Sequence, residues 1–219
     1  VMAGTACNST KATIEMTKYA YDAGADAALI VSPFYGLPNQ EELYTHFKAV
    51  ADNVPIQVML YNNPWYSGAD MLPSTVARLA EIDNILYIKE STADIRRVHE
   101  IQRLCREKIN VWCGWDDLAL ESLLMGCGGW VCPTANFLPK MCAQLFDLVQ
   151  AKNYVKARDV YFKLLPLLNY LESGQLLAKT KEAMNMIGQN GTKPRKPFLP
   201  LPTNQKPELR KMLKEVGLL

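Results

Sequence analysis

Long apolar runs are missing from this 219-residue chain; none reaches the ~18 residues that a membrane-spanning helix needs. An excess of charge of one sign is missing too. There are 24 basic and 22 acidic side chains, for a formal net charge of +2. No basic stripe with interleaved aromatics occurs, so nucleic acid is not the expected partner. Histidine is limited to His46 and His99, and no C-x-x-C pair occurs among Cys7, Cys105, Cys113, Cys127, Cys132 and Cys142. Thiols scattered through apolar segments read as reduced core residues rather than as a zinc site or disulfide set. No signal peptide accompanies the sequons at Asn8 and Asn190, so the chain reads as cytoplasmic and the sequons as chance. What is present is a globular composition, 49% hydrophobic and 21% charged. That is enough for one sizeable domain, with or without a helical appendage.

The first two-thirds alternates between two patterns. β-rich runs occur at Val1–Ala3, Ala27–Val31, Ile56–Tyr61, Ile85–Ile88, Val111–Cys113 and Trp130–Cys132. Amphipathic helical stretches such as "STKATIEMTKYAYDAGA" and "NQEELYTHFKAVAD" lie between them. Alternating βα units predict a parallel sheet, either doubly wound or closed as a (β/α)8 barrel. The barrel is favoured. No G-x-G-x-x-G turn follows the first strand, and strand after strand ends in a chemically useful residue, as at the active face of a barrel. Only six of eight strands are legible, and the chain opens on Val1 in mid-rhythm, which predicts a piece of something longer. From Leu138 the pattern becomes helical, with a proline-rich "TKPRKPFLPLP" before a last short helix. The expected division is therefore a partial barrel over 1–137 and a helical region over 138–219.

One strand poses a chemical question. "NILYIKEST" is apolar and β-prone up to Lys89, and burying an unpaired cation is costly. Two readings stand. Lys89 either snorkels out and pairs with a carboxylate such as Glu90, or it is an amine nucleophile whose charged form is disfavoured by desolvation. Tyr61 ends the preceding strand, "IQVMLY", so matched strand ends would place a phenol and an amine at one mouth, where the phenol could relay protons. Asp116 and Asp117 precede "LALESLLMG" and read as a helix start rather than as a metal pair.

"YNNP" at Tyr61–Pro64, "SGADMLPSTVARLAEIDNILYIKEST" and "GWDDLALESLLMGCGGWVCPTAN", together with "VMAGTACNST" and "VSPFYGLPNQEELYTHFKAVAD", resemble the dihydrodipicolinate synthase/N-acetylneuraminate lyase family along essentially the whole chain. The resemblance implies a (β/α)8 barrel forming an imine between a strand-end lysine and a 2-oxo acid such as pyruvate, with no metal or other cofactor. It makes Lys89 the nucleophile and Tyr61 the proton relay. Tyr35 corresponds to a second tyrosine that reaches into a neighbouring subunit's site. Gly114 and Val131 line the substrate pocket with backbone, and Thr5 is structural support. It also implies a homodimer or homotetramer.

The chain departs from the family in two places. The family's first two βα units, with a Gly-Thr-Thr-Gly-type loop for the oxo-acid carboxylate, have no counterpart here. Where true dihydrodipicolinate synthases place a carboxylate-clamping arginine, this chain has Tyr66 in "WYSG", which cannot make a charged bidentate contact. The reading is therefore a Schiff-base lyase acting on a 2-keto-3-deoxy acid or related substrate, with Trp65, Tyr66 and Trp115 shaping an aromatic pocket. The alternatives are 4-hydroxy-tetrahydrodipicolinate synthase proper, a hydroxyproline-pathway pyrroline-carboxylate deaminase, and a non-catalytic binding or assembly protein.

Overall fold

A computed structural model describes all 219 residues. The β-rich runs form strands β1 (Met2–Gly4), β2 (Ala27–Val31), β3 (Gln57–Asn62), β4 (Ile85–Glu90), β5 (Asn110–Cys113) and β6 (Gly129–Trp130). They make one sheet in the order β1-β2-β3-β4-β5-β6, and the pairing from β1 to β5 is parallel. Each strand lies beside its neighbour in sequence. A doubly wound sheet would reverse its order at a switch point, so this is the winding of a (β/α) barrel, with six strands present.

The chain forms two compact units, Val1–Trp115 with Met125–Gly129, and Asp116–Leu124 with Trp130–Leu219. In the first unit the helices are α1 (Thr10–Asp22), α2 (Gln40–Asn53), the single turn α3 (Pro64–Ser67), α4 (Pro73–Leu79) and α5 (Ile95–Cys105). Their starts follow from local chemistry. Ser9 caps α1, Asp94 caps α5, and Asn39 with Glu42 forms a capping box on α2, each satisfying amides that have no partner within the helix. The strands bury nearly continuous apolar runs, with Ile30, Val58, Met59, Leu60, Ile85 and Ile88 all at 0% exposure. Such runs are expected where a parallel sheet is covered on both faces. Between α2 and β3 the chain is tied by Asn84, whose amide nitrogen donates to the carbonyls of Ala51, Val54 and Ile56 at 3.0, 3.1 and 3.2 Å.

The second unit is helical apart from the end of β6. It contains α6 (Ala119–Leu124), α7 (Pro139–Gln150), α8 (Tyr154–Glu172), α9 (Leu176–Met186) and α10 (Lys206–Glu215). A leucine core holds it together, including Leu145, Leu164, Leu168, Leu171, Leu209 and Leu213, all at 0% exposure. Asp116 does more than open a helix. It lies in a 3-10 turn, buried, and its carboxylate accepts from Trp130 Nε1 at 3.2 Å and Thr134 Oγ1 at 3.1 Å. All six cysteines are free thiols, and no helix is long and apolar enough to cross a membrane.

Replacing Asn84 by alanine leaves one carbonyl in the last turn of α2 and two in the loop after it without their shared donor. Asn84→Ala should lower the unfolding free energy by about 2 kcal/mol, as for other lost partners of part-buried polar groups, read from the denaturant midpoint at unchanged m-value.

Candidate active site

β3 and β4 pair with an irregularity. Val58 lies opposite Ile85, but Met59 lies opposite Tyr87, so Leu86 is an extra residue on β4. Beyond it Tyr61 faces Lys89 and Asn62 faces Glu90. Without that residue Lys89 would lie opposite Asn62, on the other face, because a one-residue slip exchanges the faces of a strand. On β5, Trp112 registers with Lys89. Tyr61, Lys89 and Trp112 thus share one face, and Asn62, Glu90 and Cys113 the other.

The Lys89 amine lies over the Tyr61 ring, 4.2 Å from its centroid. It is half-buried rather than sealed in, because it sits at the end of β4 past the fully apolar part of the strand. It also lies within the strand and not just after it, since β4 continues to Glu90. Gly114 N–H donates to the Glu90 carbonyl and Ser91 N–H to that of Asn62, both at 2.9 Å. The Lys89 stem runs against Gly114, where a Cβ would fall 2.7 and 2.8 Å from Lys89 Cγ and Cε and 2.0 Å from Ser91 Oγ. A larger residue there would have to displace the Ser91 and Lys89 side chains. The Gly114 carbonyl accepts from Ser91 Oγ at 2.8 Å.

A comparison within the chain shows what is unusual about Lys89. Lys179 on α9 is the more buried lysine, at 3% exposure, and its amine also lies 4.2 Å from a tyrosine centroid, that of Tyr170. Yet its Nζ donates to the Tyr170 carbonyl and, at 2.8 Å, to Ser173 Oγ, closing the end of α8. Lys89 has no hydrogen-bonding or ionic partner in the chain, so its nitrogen remains available. Sequence pattern did not single out Lys179, because a lysine at helical spacing resembles any solvated one.

Glu90 does not pair with Lys89. It points to the opposite face, at 4% exposure, where Oε1 accepts from Thr92 N–H at 2.7 Å and Oε2 from Asn62 Nδ2 at 3.1 Å. The Asn62 amide also reaches Asp70 Oδ1 at 3.1 Å, and Arg97 forms an ion pair with Asp70. Burial pushes the Glu90 carboxyl above its ordinary value, against the opposing pull of those hydrogen bonds and of the Arg97 charge.

The other expected residues lie farther out. Tyr35 is 96% exposed and held at φ 75°, a left-handed conformation that is strained for a bulky side chain. Tyr66 is 72% exposed, on α3. Trp65 is exposed, packs against Trp115 at 6.1 Å between centroids, and donates from Nε1 to the Thr92 carbonyl at 3.1 Å. It lines a cleft of about 340 Å³ with Pro64, Asp70, Thr92, Asp94 and Arg97. Val131 follows β6 in the second unit and is half-buried. Thr5 is buried, its hydroxyl 2.8 Å from that of Thr17. Trp112 and Asn63 were not singled out from the sequence. The Asn-Pro step at Asn63–Pro64 marks a helix start, but nothing local shows which way its amide points.

Known proteins resemble this chain in sequence and in fold. The family model described as the Dihydrodipicolinate synthetase family matches residues 1–216. The 4-hydroxy-tetrahydrodipicolinate synthase of Geotalea uraniireducens (strain Rf4) is 42% identical over 221 aligned residues, covering all of this chain and 76% of its own. That of Legionella pneumophila subsp. pneumophila is 41% identical with the same coverage. Among solved structures, the chloride-inhibited dihydrodipicolinate synthase from Acinetobacter baumannii, complexed with pyruvate, superposes with a TM-score of 0.96 at 38% identity, over all of this chain and 75% of that one.

Two outcomes test the geometry. Gly114→Ala should leave a folded chain in which the Lys89 stem is displaced, seen as a change in the labelling rate of Lys89 by a carbonyl reagent while far-UV dichroism is kept. For Glu90, a raised value in the folded state means that its contribution to stability is whole below about pH 4.5, its ordinary value, and is lost as the pH climbs through the raised one. The unfolding free energy should fall with pH between the ordinary value and the raised one and level off above it, a slope that Glu90→Gln removes.

Proposed function

The chain belongs to the dihydrodipicolinate synthetase family, and from that premise we propose that it is a Schiff-base lyase whose nucleophile is Lys89. The observation that carries this reading is the unpartnered Lys89 amine held 4.2 Å above the Tyr61 ring. Lys89 Nζ attacks the C2 carbonyl of a 2-oxo acid such as pyruvate, and the carbinolamine loses water to give the imine. Removal of a proton from C3 then gives an enamine, which adds to an aldehyde; the reverse sequence cleaves the bond. Tyr61 carries protons in these steps. The Gly114 backbone, against which the lysine stem lies, is assigned to the pocket lining. Tyr35, nearly fully exposed on strained backbone, is assigned to the site of a second copy, in a homodimer or homotetramer.

For the second half of the substrate two readings have support. The aromatic rim of Trp65, Tyr66 and Trp115 favours a 2-keto-3-deoxy acid, whose polyhydroxylated tail packs on aromatic faces and needs no guanidinium. The names of relatives about 40% identical favour 4-hydroxy-tetrahydrodipicolinate synthase itself. Condensation of pyruvate with aspartate semialdehyde against cleavage of 2-keto-3-deoxy acids separates them.

The test of the shared chemistry is borohydride reduction in the presence of pyruvate, followed by intact-mass and peptide mapping. One reduced adduct on Lys89 is expected, absent in Lys89→Ala and never found on Lys179. Tyr61→Phe should slow adduct formation by about 100-fold or more, within the usual range for a positioned acid or base. A folded chain that traps no pyruvate rejects the proposal and leaves the non-catalytic binding protein as the better reading.

A further inference from the structure

Asn63 is 3% exposed and sits between the chemistry and a helix start. Its Oδ1 accepts the Tyr66 N–H at 3.3 Å, capping α3, and its Nδ2 donates to the Tyr61 hydroxyl oxygen at 2.9 Å. The cap decides the amide's orientation. The Tyr66 N–H is shared with the Asn63 backbone carbonyl at 3.2 Å, but turned over, the almost fully buried Asn63 side chain would set its NH2 group against that N–H, donor against donor. The nitrogen must therefore face Tyr61, and the phenol oxygen is an acceptor in that bond. The phenol's own hydrogen has no acceptor anywhere in the chain.

We propose that Asn63 is a positioning residue for Tyr61, occupying its oxygen as an acceptor so that its proton is kept for the adduct on Lys89. This rests on the reading of Lys89 and Tyr61 given above. In dehydration of the carbinolamine, the phenol proton passes to the departing hydroxyl and the C–O bond breaks to release water. The nitrogen lone pair becomes the C=N bond of an iminium ion. A neutral carbinolamine and a phenol thereby become an iminium cation, a phenolate and water. The Asn63 N–H, already directed at that oxygen, bonds the phenolate left behind and requires no reorganisation as the charge develops.

The substitutions that separate this from a capping role keep the cap. Asn63→Ser and Asn63→Asp both retain an oxygen for the Tyr66 N–H. The first removes the donor to Tyr61, and the second replaces it with an acceptor that draws the phenol proton away from Lys89. Two readouts apply: the Tyr61 resonance in protein labelled with 13C at tyrosine Cζ, assigned with Tyr61→Phe, and the rate of borohydride-trapped adduct formation with pyruvate. We expect the Tyr61 resonance to move downfield in Asn63→Asp. Trapping should slow by about tenfold in Asn63→Ser, the worth of one hydrogen bond to a reacting group, and further in Asn63→Asp, with thermal midpoints close to the parent's. An unmoved resonance in Asn63→Asp, or trapping at the parent's rate in either folded variant, overturns the role of Asn63. A parent chain that traps nothing overturns the Lys89 reading itself, and the role of Asn63 with it, whatever the resonance does.

Discussion

The extra residue at Leu86 is the constraint on which the candidate site depends. Parallel strands place registered residues on the same face, and each step along a strand changes the face. With Leu86 absorbed as an irregularity, Lys89 comes beside Tyr61 and Trp112. In unbroken register it would come beside Asn62, whose face is packed and whose amide is fully buried. An ammonium there would lose its hydration with no gain in reactivity. One residue of slippage thus separates an amine beside Tyr61 and Trp112 from a charge on the packed face.

The opposite face holds that register in place. The chain of contacts from Glu90 through Asn62 to Asp70 and Arg97 crosses from β4 to β3 and on to α5. Such buried polar contacts add little net stability, because desolvation offsets most of what they gain. What they supply is discrimination. A shifted register would part Glu90 from Asn62 and leave a buried carboxylate and a buried amide each without that partner.

The two buried or half-buried lysines show how much of a side chain's role is set by its partners. Lys179 and Lys89 each lie over a tyrosine ring at the same distance. The first donates its protons to a carbonyl and a hydroxyl and becomes part of a helix end. The second is left with the aromatic face alone, which attracts a cation without taking up its hydrogen bonds as a carbonyl or hydroxyl oxygen does. The same residue type is tied into a helix end in one place and left without a hydrogen-bond partner in the other.

Much of this could be read from the chain before folding. The alternation of β-rich and amphipathic runs determined the parallel sheet, because burial on both faces demands apolar strands and right-handed crossovers demand helices between them. The order of "YNNP" and "YIKEST" placed Tyr61 and Lys89 at successive strand ends for the same reason. What the sequence could not determine was anything that depends on direction in space. The face that Glu90 takes, the orientation of the Asn63 amide and the close approach of Gly114 to the Lys89 stem were decided by tertiary structure. Each is a competition between nearby donors, acceptors and hard atoms, and it has no outcome until the strands lie side by side.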